Sequence, residues 1–214
     1  KARTYLDHLP AEYIRYYFAA KLSDRIEDID LSFDDFTQRI NADLVGKFIN
    51  IASRSAGFIT KHFAGKLSTT CAEQVLFNEF AQAGNSIAQH WNKLEYSHAV
   101  RQIMALADRA NQYIDEKKPW SLVKDPHKHK EVHDVCSMGI NLFRLLMIYL
   151  KPVLPKTARE VEAFLNIKPL MWHDKEKPLL NHQINEFKPL ITRIDPKQIE
   201  GIKMAAEKDI AEST

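Results

Sequence analysis

Glycine is scarce in this chain, 6 residues in 214, and proline is little commoner at 9. Long stretches contain neither, which leaves few sites for the tight turns that an all-β fold needs. Cysteine is almost missing: Cys71 and Cys136 stand far apart in helical patterns, suggesting neither a disulfide framework nor a paired-thiol metal site. No run of about 18 uncharged apolar residues occurs, and the opening KARTYLDHLP lacks the apolar segment of a signal peptide. The expectation is a cytoplasmic protein with no membrane segment. A strong charge of one sign is also lacking. The 30 Lys and Arg stand against 28 Asp and Glu, a net +2, so no basic coat binds nucleic acid at large by counterion release. If RNA is a partner, a few placed side chains must recognise it.

What is present is helical periodicity. The profile is 45% hydrophobic and 27% charged, ordinary for a globular chain. TYLDHLPAEYIRYYFAAKL holds two short helical signals joined at His8-Leu9-Pro10, and reads as a connector packed on something else. A helix of about nine turns is predicted over 31–63, opened by Ser32 three residues before Asp35. On a wheel of about 100° per residue, Phe33, Ile40, Leu44, Phe48, Ile51, Ala52, Ser55, Phe58 and Ile59 share one side. Asp43, Lys47, Asn50, Arg54, Gly57 and Lys61 share the other, with Phe36 at the boundary in line with Arg54. Further helices are predicted at about 71–90, 95–117, 129–150 and 155–165. Single apolar stripes and short connections predict an all-α fold, an antiparallel helical bundle. After Asn166 the texture changes to Pro, Lys and isolated apolar residues, an extended tail that packs across other elements and closes in a short polar helix or frayed end. The acidic DRIEDID run at 24–30 reads as a solvated connector.

The chemistry-bearing residues are few. His129, His133 and Cys136 stand at i, i+4 and i+7 near His127, a spacing at which one helix face could hold zinc. Lys128 and Lys130 would repel a cation, no second cluster supports the ligands, and Cys136 fits a buried stripe with Val132 and Val135. A solvated basic helix start is the preferred reading, and no metal site is expected. No phosphate loop, HExxH or nucleophile elbow occurs, so no catalytic residue is expected in this chain. Asn50 and Arg54 lie one turn apart on the polar side of the 31–63 helix, flanked by Lys47 and Lys61. Asn offers a paired donor and acceptor and Arg a fork of donors, groups matched to the edges of unpaired bases. Trp120 follows four charged residues and Pro119, and an exposed indole beside basic residues makes a stacking platform. A solvated helix face and a Trp capping the bundle core are the plainer accounts of the same residues.

Four blocks go further: RYYFAAKLSDRIEDIDLSFDDFTQRINADLVGKFINIASR, IMALADRANQYIDEKKPW, CSMGINLFRLLMIYLKPVLP and FKPLITRID. Spread over nearly the whole chain and in order, they resemble the region of bacterial methionyl-tRNA synthetases, class I enzymes, that follows the catalytic domain. The resemblance implies a fragment, because the family's KMSKS loop lies just before the position where this chain begins. It implies part of a stem-contact segment at 1–30, an anticodon-binding helical bundle at 31–165, and a tail at 166–214 that docks on the catalytic domain. It further implies that Asn50 and Arg54 read bases of the CAU anticodon of tRNA(Met), that Trp120 stacks on the first anticodon base, and that Pro119 fixes the turn. Lys47 and Lys61 are then candidate contacts to the RNA backbone. Some relatives carry Asn where this chain has Gly46, so any contact there is lost or falls to the backbone. Methionine–tRNA ligation needs ATP with Mg and, in the family, a zinc knuckle; all belong to the catalytic domain, and no cofactor is expected here. The expected partners are the tRNA(Met) anticodon loop and the enzyme's own catalytic domain, with dimerisation of the parent through a further C-terminal domain in some members. The rival readings are the corresponding module of a valine, isoleucine or leucine enzyme, a His/Cys metal protein, and a protein-binding bundle.

Overall fold

The computed structural model describes residues 2–23 and 31–211. The DRIEDID run at 24–30, expected to be a solvated connector, therefore lies outside the described residues.

Helices α1 (Ala2–Leu6) and α2 (Ala11–Lys21) meet at the expected His8-Leu9-Pro10 junction, with Pro10 capping α2. Tyr16 and Tyr17 of α2 are buried on the following helix, where their hydroxyls donate to Asp43 (2.9 Å) and Asp35 (3.0 Å). That helix runs from Phe33 to Phe63 and is capped as expected, Ser32 Oγ accepting from the Asp35 N–H at 3.3 Å. It is not uniform. An α-helical start, α3 (Phe33–Arg39), passes into π-helix over Ile40–Ile49 and then into α4 (Asn50–Phe63). A π turn takes more residues than an α turn, so each residue advances less around the axis. The stretch therefore rotates everything beyond it relative to a uniform wheel. Phe36 is buried at 1% whereas Arg54, in line with it on that wheel, stays partly exposed. Ile40, Leu44, Phe48, Ile51, Ala52, Ser55 and Ile59 are buried as expected, while Phe33 and Phe58 are only half-buried. Ile49 and Ala56 join the core unforeseen. The helix ends on Ala64 and Gly65 at positive φ, the Gly65 N–H donating to Ile59 O at 3.0 Å.

Helix α5 (Gln74–Asn92) occupies the predicted 71–90 region, starting and ending slightly later. Helices α6 (Tyr96–Lys117), α8 (His129–Leu150) and α9 (Pro155–Leu165) fall where the periodicity puts them, and Pro119–Leu122 forms one extra turn, α7. Every residue of α8 from Val135 to Leu150 is buried; a helix buried on all sides is the centre of a bundle, and α4, α5 and α6 pack around it. Along the 33–63 helix and α8 the residue numbers run in opposite senses. Phe48 stacks on Phe143 at 4.7 Å, and a Cβ on Gly139 would stand 2.3 Å from Ser55 Oγ. Among the described residues the Lys66–Gln183 bridge is isolated and no strand forms. No described helix is long and apolar enough to cross a membrane.

Beyond Asn166, which takes positive φ, the chain returns along the bundle. Buried Asn141 accepts from the Leu179 N–H (2.7 Å) and donates to Leu179 O (3.1 Å), and buried Arg144 donates to Lys177 O. Lys151 holds Leu170 O at 2.7 Å. Further on, Tyr13 reaches Thr192 O at 2.9 Å, and α10 (Pro196–Ala211) lies against α1.

Candidate nucleic-acid interface

Lys47, Asn50 and Arg54, on the predicted polar side of the 33–63 helix, are only partly exposed, while Gly57 and Lys61 on that side are exposed. Lys47, Asn50 and Arg54 meet α6 in a ladder of three rungs, each joining residues 61 apart in sequence. Lys47 Nζ holds Asp108 Oδ2 at 2.9 Å, Asn50 Nδ2 donates to Asn111 Oδ1 at 2.9 Å, and Arg54 pairs with Asp115. A constant offset means that the two helices run in the same direction along this seam. Each rung is one helical turn from the next, and each pairs a donor or cation with an acceptor or anion.

The seam ends at Trp120. Helix α6 stops because Lys118 leaves the helical region for φ 50°, donating its N–H to Ile114 O at 2.9 Å. A residue before proline is disfavoured in the right-handed helical region, and Pro119 supplies no N–H of its own, so the break belongs to the Lys118-Pro119 pair. Pro119 is buried and opens α7; Trp120 follows it with 37% of its surface exposed. The Arg54 guanidinium carbon lies 4.7 Å from the centre of the Trp120 ring. Such a cation–π contact at an exposed site is worth about 0.5–1 kcal/mol. Arg54 therefore touches the indole face and the Asp115 carboxylate together. Its hydrogen bond holds the Asp115 carboxyl below the usual range, so Asp115 is ionised at neutral pH.

Asn50, Arg54, Lys47, Pro119 and Trp120 are thus brought together on one rim. Lys61 is exposed, seven residues beyond Arg54 on α4, about 10 Å along the axis and apart from the rungs. Gly46 is exposed in the π-helical stretch, and a Cβ there would come within 3.3 Å of Asn41 O. Asp108, Asn111 and Asp115 were not singled out from sequence. They repeat on α6 the i, i+3, i+7 spacing of Lys47, Asn50 and Arg54 with complementary chemistry, a pattern that does not by itself say that the two sets meet.

The His/Cys cluster has other partners. His133 stacks flat on Phe63 at 4.0 Å and its Nε2 lies 2.6 Å from Lys66 O, while His129 packs edge-on to His62 and Phe63. Two of the histidines expected on a solvated basic helix start are therefore partly covered by the end of α4. Burial pushes the Cys136 thiol up to about 12, so it is a neutral core side chain. Among the described residues no three His, Cys, Asp or Glu side chains stand together as a metal site.

Comparison with known proteins agrees with this architecture. The family model described as the anticodon binding domain of methionyl tRNA ligase matches residues 64–189, which include Pro119 and Trp120. The model for class I tRNA synthetases (M) matches residues 1–56, which include Asn50 and Arg54. A methionine–tRNA ligase of Vesicomyosocius okutanii subsp. Calyptogena okutanii (strain HA) is 56% identical over 207 residues, 97% of this chain and 38% of the relative. The chain therefore spans well under half the length of that relative. The free-state Mycobacterium tuberculosis methionyl-tRNA synthetase shares the fold at a TM-score of 0.79 and 18% identity, over 89% of this chain and 40% of that one. Its complex with methionyl-adenylate gives 0.80 at 18% identity, over 87% and 38%. With a helical bundle and a family match over most of its length, the chain belongs to the family of methionyl-tRNA ligase anticodon-binding domains.

Proposed function

We propose that this chain binds the CAU anticodon of tRNA(Met), as the anticodon-recognition part of a methionine–tRNA ligase that joins methionine to tRNA at the expense of ATP. The observation that carries the reading is the rim itself: an amide and a guanidinium, Asn50 and Arg54, on a two-helix seam ending at a partly exposed indole. Base–aromatic stacking on Trp120 is worth about 1–3 kcal/mol with little preference among bases. Hydrogen bonds from a fork such as Arg54 discriminate by about 1–3 kcal/mol per pair. Selectivity is thus assigned to Asn50 and Arg54, part of the affinity to Trp120, and the backbone contacts to Lys47 and Lys61. Pro119 sets the indole on the rim.

In this reading residues 1–30 belong to the stem-contact segment, 31–165 form the recognition bundle, and 166–214 dock on a catalytic domain, where methionine, ATP with Mg, and zinc act. Chemistry by this chain alone is not expected. The test uses the indole. Of the 3 Trp, only Trp120 stands on the rim, so adding a CAU stem-loop should quench its emission, and a Trp120→Phe chain should lose that part of the change. A permuted triplet quenching equally at equal concentration contradicts the proposal.

A further inference from the structure

We infer that Asn111 is a positioning residue for base discrimination: it fixes the Asn50 amide with its oxygen outward, so that Asn50 reads an amino group on a base. The inference rests on the anticodon reading above and deepens it. The Asn111 amide nitrogen donates to Lys47 O and to Ala107 O, each at 2.9 Å. Carbonyl oxygens only accept, so the end of Asn111 facing them is the NH2, and both of its hydrogens are used. Its oxygen is therefore turned to Asn50, and what meets it at 2.9 Å is the Asn50 NH2. The chain of bonds runs one way. With one of its two N–H hydrogens given to Asn111 and the amide so turned, Asn50 keeps Oδ1, which has no protein partner among the described residues. Both amides are half-buried in the seam.

An outward oxygen accepts a hydrogen bond. Cytosine and adenine present an exocyclic amino donor at the edge where uracil and guanine present a carbonyl acceptor. Asn50 held in this orientation therefore favours C over U, or A over G, at one anticodon position. A freely rotating Asn50 amide would turn its NH2 to the carbonyl and lose the distinction. Asn111 thus sets which base Asn50 accepts without touching RNA.

The test needs no altered protein at first. The intact chain is titrated with CAU stem-loops in which cytosine is replaced by 2-pyrimidinone, or adenine by purine, each lacking only the amino group. One replacement should weaken binding by about tenfold. In Asn50→Ala and in Asn111→Leu chains the same replacement should change binding less than twofold, and the double variant should be no less selective than either single one. Thermal unfolding records whether Asn111→Leu remains folded; if it does not, the analogue titration on the intact chain still decides. Equal binding of both deaminated loops by the intact chain overturns the inference, as does full discrimination by folded Asn111→Leu. A chain that prefers CAU to other triplets yet ignores both replacements refutes the role given to Asn50 and Asn111 and leaves the anticodon reading standing; no preference for CAU refutes that reading instead.

Discussion

Arg54 serves two contacts at once, and they differ in what they do. The Asp115 side chain is 61% exposed, and exposed ion pairs are worth about 0–1 kcal/mol. Asp115→Ala should therefore lower the unfolding free energy by less than about 1 kcal/mol, measured by urea titration. The pair still orients the guanidinium on the indole. Because Arg54 depresses the Asp115 pKa, the pair's contribution is present above the unfolded value near 3.9 and is lost as pH falls through the lower folded value. Trp120 emission should accordingly stay constant from about pH 7 to pH 4 and change only below that. A change centred near pH 6 would place a histidine, not Asp115, beside the indole.

At the scale of elements, the seam depends on where α4 lies on α8. Gly139 permits that approach: an added Cβ would stand 2.3 Å from Ser55 Oγ, which is already buried without a partner. Gly139→Ala should destabilise the chain by about 1–3 kcal/mol through overpacking, visible as a lower Tm. The returning tail depends on Asn141. Asn141→Ala would leave the Leu179 N–H unpaired under the tail, at about 1–3 kcal/mol, and proteolysis near residues 170–185 should quicken. Much of this was legible in sequence. The stripes of α6 and α8 and the prolines at 119, 152 and 155 gave their bounds, because a helix with one apolar face writes its period into the chain. The π-helical stretch was not legible, since 100° spacing presumes the α-helical turn, and Phe36 beside Arg54 was its one trace. The parallel seam was hidden as well. Local periodicity shows that Lys47, Asn50 and Arg54 share a face, not that Asp108, Asn111 and Asp115 lie opposite, 61 residues away.

At the scale of the whole molecule, a net charge of +2 limits how far affinity can come from phosphate neutralisation. If Lys47, Arg54 and Lys61 are the cations that meet a single-stranded loop, log K should fall against log salt with a slope near −2; a slope beyond about −6 would mean a broad basic surface that the composition does not supply. In the proposed reading affinity and selectivity reside in different side chains, which can be separated. The most direct test measures dissociation constants of the intact, Trp120→Ala and Arg54→Ala chains for a CAU stem-loop and for a permuted triplet at one salt concentration. The intact chain should prefer CAU, Trp120→Ala should weaken both loops by a similar factor of about 5–100, and Arg54→Ala should bring the ratio of the two constants towards one. Equal constants for both loops with the intact chain would contradict the account.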